Sequence, residues 1–436
     1  MGANPGANAG ANPDAHRAAE AAARRSYGQL VAVLAARTRD VAAAEDALSA
    51  AFAAALADWS TSGVPRVPEA WLLTVARRRM IDAARHRHTE NEAAGVLELL
   101  AALQDDAEAA AGIPDERLRL MFTCAHPALD RALHAPLMLQ TVLGFDAASI
   151  ASAFLVAPAA MAQRLVRAKS KIRAAGIAFR VPEPAELPAR LQAVLDAIYA
   201  AFAEGWADPG GTETRRRNLA EEGIWLGRLV ASLLPAQPEA LGLLSLMLHA
   251  EARRDARRDA AGEYVPLAAQ DPARWDADLI DEAEALLQRA GAMDGLGRYQ
   301  LEAAVQSAHV VRRRGGAADW PAIVRLYDAL HALTGSPVVA INRAIAVAEL
   351  EGAAAGLAAL DALADDSRLA DYQPWWAARA ALLMRTGQSV AARTAYERAI
   401  GLESDPAVRR FLQVKRARLA EVQAGVAGVV IEGLKA

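Results

Sequence analysis

The stretch 145–173, FDAASIASAFLVAPAAMAQRLVRAKSKIR, restricts the conformations open to this chain more than any other segment. It reads as a short helix, a tight turn at 155–157, and a second helix opened by Pro158, whose fixed φ suits a first helical turn. In the second helix Met161, Leu165, Ala168 and Ile172 recur at three- and four-residue steps, so they share one face that can be buried against the first helix. The opposite face carries Gln163, Arg164, Arg167, Lys171 and Arg173 with no acidic residue among them. Two helices joined in this way form a helix-turn-helix, and a helix that offers Arg and Gln suits the base edges and phosphates of a major groove. A solvated amphipathic helix is the plainer alternative. The turn spacing and the lack of acids favour duplex DNA.

The remainder is expected to be helical almost throughout. Alanine dominates, aromatic residues make up only 5%, and runs of Val, Ile or Thr are short, so an all-α fold follows, and 436 residues suffice for two or three domains. The net charge of −4 means that any nucleic acid must be held by local patches rather than by the overall field. Cys124 is the single cysteine, which excludes an internal disulfide. With neither a signal peptide nor an apolar span, the protein is expected in the cytoplasm, away from membranes.

Residues 1–25, opening on a Gly-Ala-Asn repeat with prolines, are expected to be a disordered tail. Three helices are predicted over 27–37, 41–59 behind an Asp40 cap, and 69–87 after Pro68; they make up a first domain at 26–88. The segment 89–113 contains Glu90, Glu92, Glu98, Asp105, Asp106 and Glu108 but no basic residue, and reads as an acidic linker. The helix-turn-helix domain occupies 114–178, and the proline-rich 179–189 reads as a hinge.

Beyond it, 190–436 repeats with a period near 34 residues: Tyr327 and Tyr396, and Pro337 and Pro406, stand two periods apart, and Gly352 and Gly387 one. Trp376, Ala380, Leu383, Gly387, Ala392, Tyr396 and Ala399 have the spacing of a tetratricopeptide repeat. The stretch 257–275, RRDAAGEYVPLAAQDPARW, interrupts the pattern and is read as a structural connector, a functional loop being the alternative.

In the helix 69–87, Trp71, Leu72, Val75, Met80, Ile81 and Ala84 form an apolar face, and Arg77, Arg78, Arg85 and Arg87 lie mostly off it. An aromatic ring beside clustered arginines suits single-stranded or melted nucleic acid, because bases need a stacking surface and phosphates need cations. Trp71 alone fits a core position equally well.

Nothing points to catalysis. Cys124 with His126, and His86 with His88, lack further ligands at metal spacing, and the glycine-rich DPGGTE follows no strand. Glu221, Glu222, Asp255 and Asp259 sit among arginines as ion-pair partners. The expectation is a protein that is no enzyme, with no cofactor and no metal.

With these motifs in hand, residues 26–88 resemble region two of bacterial sigma factors of the extracytoplasmic-function group, and 114–175 resemble region four. The resemblance rests on AEDALSAAF at 44–52, PEAWLLTVARRRMIDAAR at 68–85, and SIASAFLVAPAAMAQRLVRAKSKIR at 149–173. The half that follows is similar to the helical, tetratricopeptide-like extension of a subgroup of these factors. The resemblance implies core RNA polymerase and promoter DNA as partners, and regulation through the C-terminal domain, by an intramolecular contact or a further protein.

It implies polymerase docking through Asp46 and Phe52. Contact with the melted minus-ten element falls to Trp71, Arg77, Arg78, Arg85 and Arg87, with a flipped base held by the loop 60–68. The minus-thirty-five element falls to Gln163, Arg164, Arg167, Lys171 and Arg173. The chain departs from the family pattern at Ser49 and Ala50, where Gln and Glu are usual, and at Arg78, where Asn is common. A stand-alone helix-turn-helix regulator whose repeat domain senses a partner is the alternative reading.

Overall fold

The computed structural model describes residues 13–86, 116–154, 156–206, 214–311 and 316–433, and every named element among them is a helix; a single isolated β-bridge joins Arg258 and Tyr264. The acidic linker lies outside the described residues. The chain divides into two compact units, Met1–Leu226 and Gly227–Ala436. No described helix is long and apolar enough to cross a membrane.

The first unit opens with α1 (Pro13–Thr38), α2 (Val41–Ser62) and α3 (Pro68–His86). The start of α1 corrects the expectation of a disordered tail across 1–25: residues 13–25 are helical. Alanine costs least of any residue to hold in a helix, and Ala15, Ala19 and Ala22, spaced at four and three, are all buried. Asp40 begins α2 as the sequence suggests, its carboxylate accepting a hydrogen bond from the Ala43 amide at 3.0 Å. The core between α2 and α3 centres on Trp59, which is fully buried and meets Trp71 edge to face at 5.5 Å between ring centres.

Next come α4 (Arg117–Cys124), α5 (His134–Thr141), α6 (Ala147–Ala153) and α7 (Pro158–Ala174). Asp146 caps α6 by accepting from the Ser149 amide at 2.8 Å, and Met161, Leu165, Ala168 and Ile172 of α7 are buried as their spacing requires. The unit continues past the proline-rich hinge. In α8 (Leu187–Trp206), which packs on α5, Arg190 donates to the Phe122 carbonyl of α4 at 2.6 Å. The compact division therefore falls within α9 (Thr214–Leu233) and not at 179–189.

The second unit contains α10 (Pro238–Glu251), α11 (Ala277–Gly291), α12 (Arg298–Val310), α13 (Trp320–Thr334), α14 (Pro337–Leu350), α15 (Ala353–Asp361), α16 (Gln373–Arg385), α17 (Ser389–Leu402) and α18 (Pro406–Gly433). Successive helices pack in pairs. The turns before α15 and α17 pass through Gly352 and Gly387 with φ of 101° and 79°, a region that L side chains adopt only with strain. That accounts for the spacing of these two glycines. Ala380, Leu383, Ala392, Tyr396 and Ala399 fill the space between α16 and α17, and of the two adjacent tryptophans it is Trp375 that is buried with them. Trp376 stands at its edge, 4.6 Å away, and donates its indole N–H to the Ala370 carbonyl.

Candidate nucleic-acid interface

Helix α7 presents Gln163, Arg164, Arg167 and Lys171 on its exposed side, and among the described residues none of the four has a hydrogen-bond or ion-pair partner. They form a short row of solvated donors, uncancelled by local acids, which is what phosphates and base edges require. Arg173, which the sequence assigns to the same row, is placed differently: it pairs with Asp40 at the start of α2, at 3.2 Å.

Lys169 did not stand out in the sequence. It turns away from the cationic row and meets Glu45 of α2 at 2.5 Å, with 11% and 9% of the two side chains exposed. Burial pushes the Glu45 carboxyl above its ordinary pKa, and the adjacent Lys169 ammonium offsets this only in part. Its position on the flank of α7, between the buried stripe and the exposed row, is the one signal that could have found it.

These pairs belong to a wider contact between the helices of residues 13–86 and those of 116–174. Gly28 of α1 lies so close to the turn after α5 that a Cβ at this position would stand 2.0 Å from the Val142 carbonyl oxygen. Beside it the Tyr27 ring covers Gly144, and burial together with the Glu45 and Asp46 carboxylates raises the Tyr27 hydroxyl pKa. The two helical modules thus rest on each other within one unit, whereas an acidic connector between them suggests only a loose joint.

On α3, Trp71 is half-buried and fixed by its contact with Trp59; it serves the core and shows part of its ring to solvent. Arg78 is exposed and Arg77 half-buried, while the Arg85 side chain and Arg87 lie outside the described residues. The loop leading into α3 exposes Val64, Arg66 and Val67, an apolar and cationic edge that the periodicity of the helices could not reveal. Between α2 and α3 a groove of about 570 Å³ is lined by Asp40, Asp46, Arg79, Met80, Asp82 and Arg173 among others. Asp46 reaches this groove and is exposed, and Phe52 is half-buried on the same helix. Among the described residues no group of three His, Cys, Asp or Glu side chains is placed to hold a metal ion.

The family model for sigma-70 region 2 matches residues 22–89, from within α1 through α3. A second model, a family of unknown function (DUF6596), matches residues 190–291. An uncharacterized protein of Rhizobium meliloti (strain 1021) is 39% identical over 395 residues, which cover 89% of this chain and 93% of that protein. No solved structure matches the chain.

Proposed function

The chain belongs to one family with that Rhizobium protein and carries a sigma-70 region 2 domain at its N-terminus, and on that premise we propose that it is a sigma factor of the extracytoplasmic-function type. It directs core RNA polymerase to particular promoters, and its C-terminal helical unit, read as tetratricopeptide-like, regulates that act. The region 2 match supports the sigma-like role in transcription initiation. The observation that carries the finer reading is the second cationic element on the same unit: α7, with four solvated Gln, Arg and Lys side chains and no acid along its length.

In this reading α2 docks on the polymerase through Asp46 and Phe52, at the groove between α2 and α3. Trp71, Arg77, Arg78, Arg85 and Arg87 of the α3 segment hold the melted minus-ten strand. There the half-exposed Trp71 ring offers a stacking edge and the arginines neutralise phosphate. Gln163, Arg164, Arg167 and Lys171 read the minus-thirty-five element in the major groove; Arg173 joins them only when it leaves Asp40.

The test is promoter-specific transcription reconstituted from purified core enzyme and this protein. Arg164→Ala with Arg167→Ala should remove promoter use, each lost contact costing roughly 1 to 3 kcal/mol, and should leave core binding intact. Phe52→Asp should do the reverse and abolish core binding. If the wild-type protein binds promoter DNA specifically but never associates with core enzyme, it is a stand-alone helix-turn-helix regulator instead.

A further inference from the structure

The segment that interrupts the helical repeats is an ordered loop between α10 and α11. Its ends are joined by the Asp276 amide donating to the Ala252 carbonyl at 2.9 Å, and Trp275, Ala252 and Ala256 are buried beneath it. Its outer edge reaches the beginning of the last helix of the same unit. There Arg258 pairs with Asp405, Glu263 with Arg410 at 2.8 Å, and Tyr264 meets Phe411 edge to face at 5.4 Å. A loop near the start of the unit is thereby tied to its last helix.

Four arginines lie in the first residues of this loop, and their partners differ. Arg254 is held in a two-point pair by Glu251 at 2.6 and 2.7 Å, and Arg258 by Asp405. Asp405 is fully committed, because it also caps α18 by accepting from the Ala407 amide at 2.8 Å. Arg253 has no carboxylate. It donates from Nε to the His249 carbonyl at 3.2 Å and from Nη2 to the Gln306 amide oxygen of α12 at 2.5 Å, and among the described residues these are its only acceptors. A guanidinium has five N–H donors and stays charged in proteins, so three donors and a whole positive charge are left over.

The charge is reinforced by its surroundings. Burial, and the positive charge of Arg257, bring Arg253 down to about 10, still charged at neutral pH. The Tyr327 phenol of α13 is close enough to Arg253 for the two to interact electrostatically. Its hydroxyl, pushed up to about 12 by burial and by the nearby Glu302 carboxylate, remains a neutral donor. Glu302 itself is engaged by Arg298 at 2.7 Å.

We propose that Arg253, with the Tyr327 hydroxyl, forms a binding site for an oxyanion, a phosphate or carboxylate group, on the C-terminal unit. The planar fork of Arg253 supplies the paired donors that such groups accept, Gln306 fixes its orientation, and the loop tied to α18 holds Arg253 in place. A ligand bound there bridges the loop, α12 and α13, so its occupancy stabilises this unit without touching the DNA-facing helices.

The full-length protein is titrated calorimetrically with inorganic phosphate and, separately, with succinate, at low ionic strength, with sodium chloride of matched ionic strength as the control. Saturable one-to-one binding of at least one oxyanion is expected. Arg253→Met should weaken it tenfold or more, and Arg325→Met, on an exposed position of α13, should leave it unchanged. The two titrants separate a phosphate site from a carboxylate site. If Arg253→Met does not fold, Arg253→Lys, which keeps the charge and loses the fork, should weaken binding at least threefold. The proposal is overturned by absence of saturable binding of both oxyanions, by equal competition from chloride, or by a folded Arg253 variant that binds as tightly as wild type.

Discussion

Lys169 in the first unit and Arg253 in the second are both cations drawn out of water by the helices around them, and they meet different partners. Lys169 lies against Glu45, with both side chains nearly enclosed, and the pair joins α7 to α2. Arg253 meets an amide oxygen and a backbone carbonyl, and its charge is left for something else. A buried cation with its carboxylate in place holds structure together, and breaking the pair leaves an uncompensated charge. A cation with only neutral acceptors holds little together, which is why it is available to a ligand.

The sharpest test of this contrast is Lys169→Met, which strands the Glu45 carboxylate. It should destabilise the first unit by ~3 to 5 kcal/mol at pH 8, read from chemical denaturation, whereas Lys169→Met with Glu45→Leu should return most of that loss. Arg253→Met should cost less, ~1 to 3 kcal/mol in the second unit, the worth of its two hydrogen bonds. A loss for Arg253→Met as large as that for Lys169→Met would erase the distinction.

Gly28→Ala comes next. On propensity alone the change gains about 1 kcal/mol in a helix interior. Here the added methyl meets the Val142 carbonyl oxygen, a backbone atom that cannot rotate away, so a net loss of ~1 to 3 kcal/mol is expected in thermal or chemical melts. A stabilised Gly28→Ala protein would mean that the two modules do not touch in solution.

The pH dependence is a smaller effect with a definite sign. The folded protein holds the Glu45 proton more tightly than the unfolded chain does, so this group's contribution is fully present below the ordinary glutamate pKa and is lost as pH rises through the raised value. Glu45→Gln should flatten that part of the stability profile, and acidification should partly rescue Lys169→Met. A contribution that grows with pH in this window would mean that the Lys169 ammonium outweighs burial and holds Glu45 ionised, and a flat one would place Glu45 in water.

The smallest effect concerns Cys124. It is fully buried, lies 3.3 Å from the Thr141 hydroxyl, and burial pushes its thiol up to about 12. The native protein at pH 8 should therefore resist thiol reagents and react only once unfolded, as measured by mass spectrometry. Prompt labelling of the folded chain would show that the packing of α4 on α5 is looser than described.

Much of the first unit was legible in the sequence because its signals are local. The buried stripe of α7, the Asp40 cap and the exposed row at 163, 164, 167 and 171 follow from helical period and capping chemistry; in the second unit only the glycines at 352 and 387, at turns of positive φ, are as local. What the sequence hid depends on distant partners. The acids that engage Arg173 and Lys169 lie more than a hundred residues away, so nothing along α7 separates Arg173 from the solvated row, and only its place on the flank of the helix marks Lys169. The helix at 13–25 was hidden for another reason: its alanines are apolar enough to bury but too small to register as an apolar face. The extension of the first unit into α8 rests on Arg190 and the Phe122 carbonyl, a contact invisible to a reading that stops at prolines.

A sigma factor works only through RNA polymerase, so gel filtration of wild-type, Phe52→Asp and Arg164→Ala/Arg167→Ala proteins with purified core enzyme at low salt decides whether this protein is one. The first and third should co-elute with core and the second should not. Wild-type protein that elutes alone beside intact core enzyme would contradict that role.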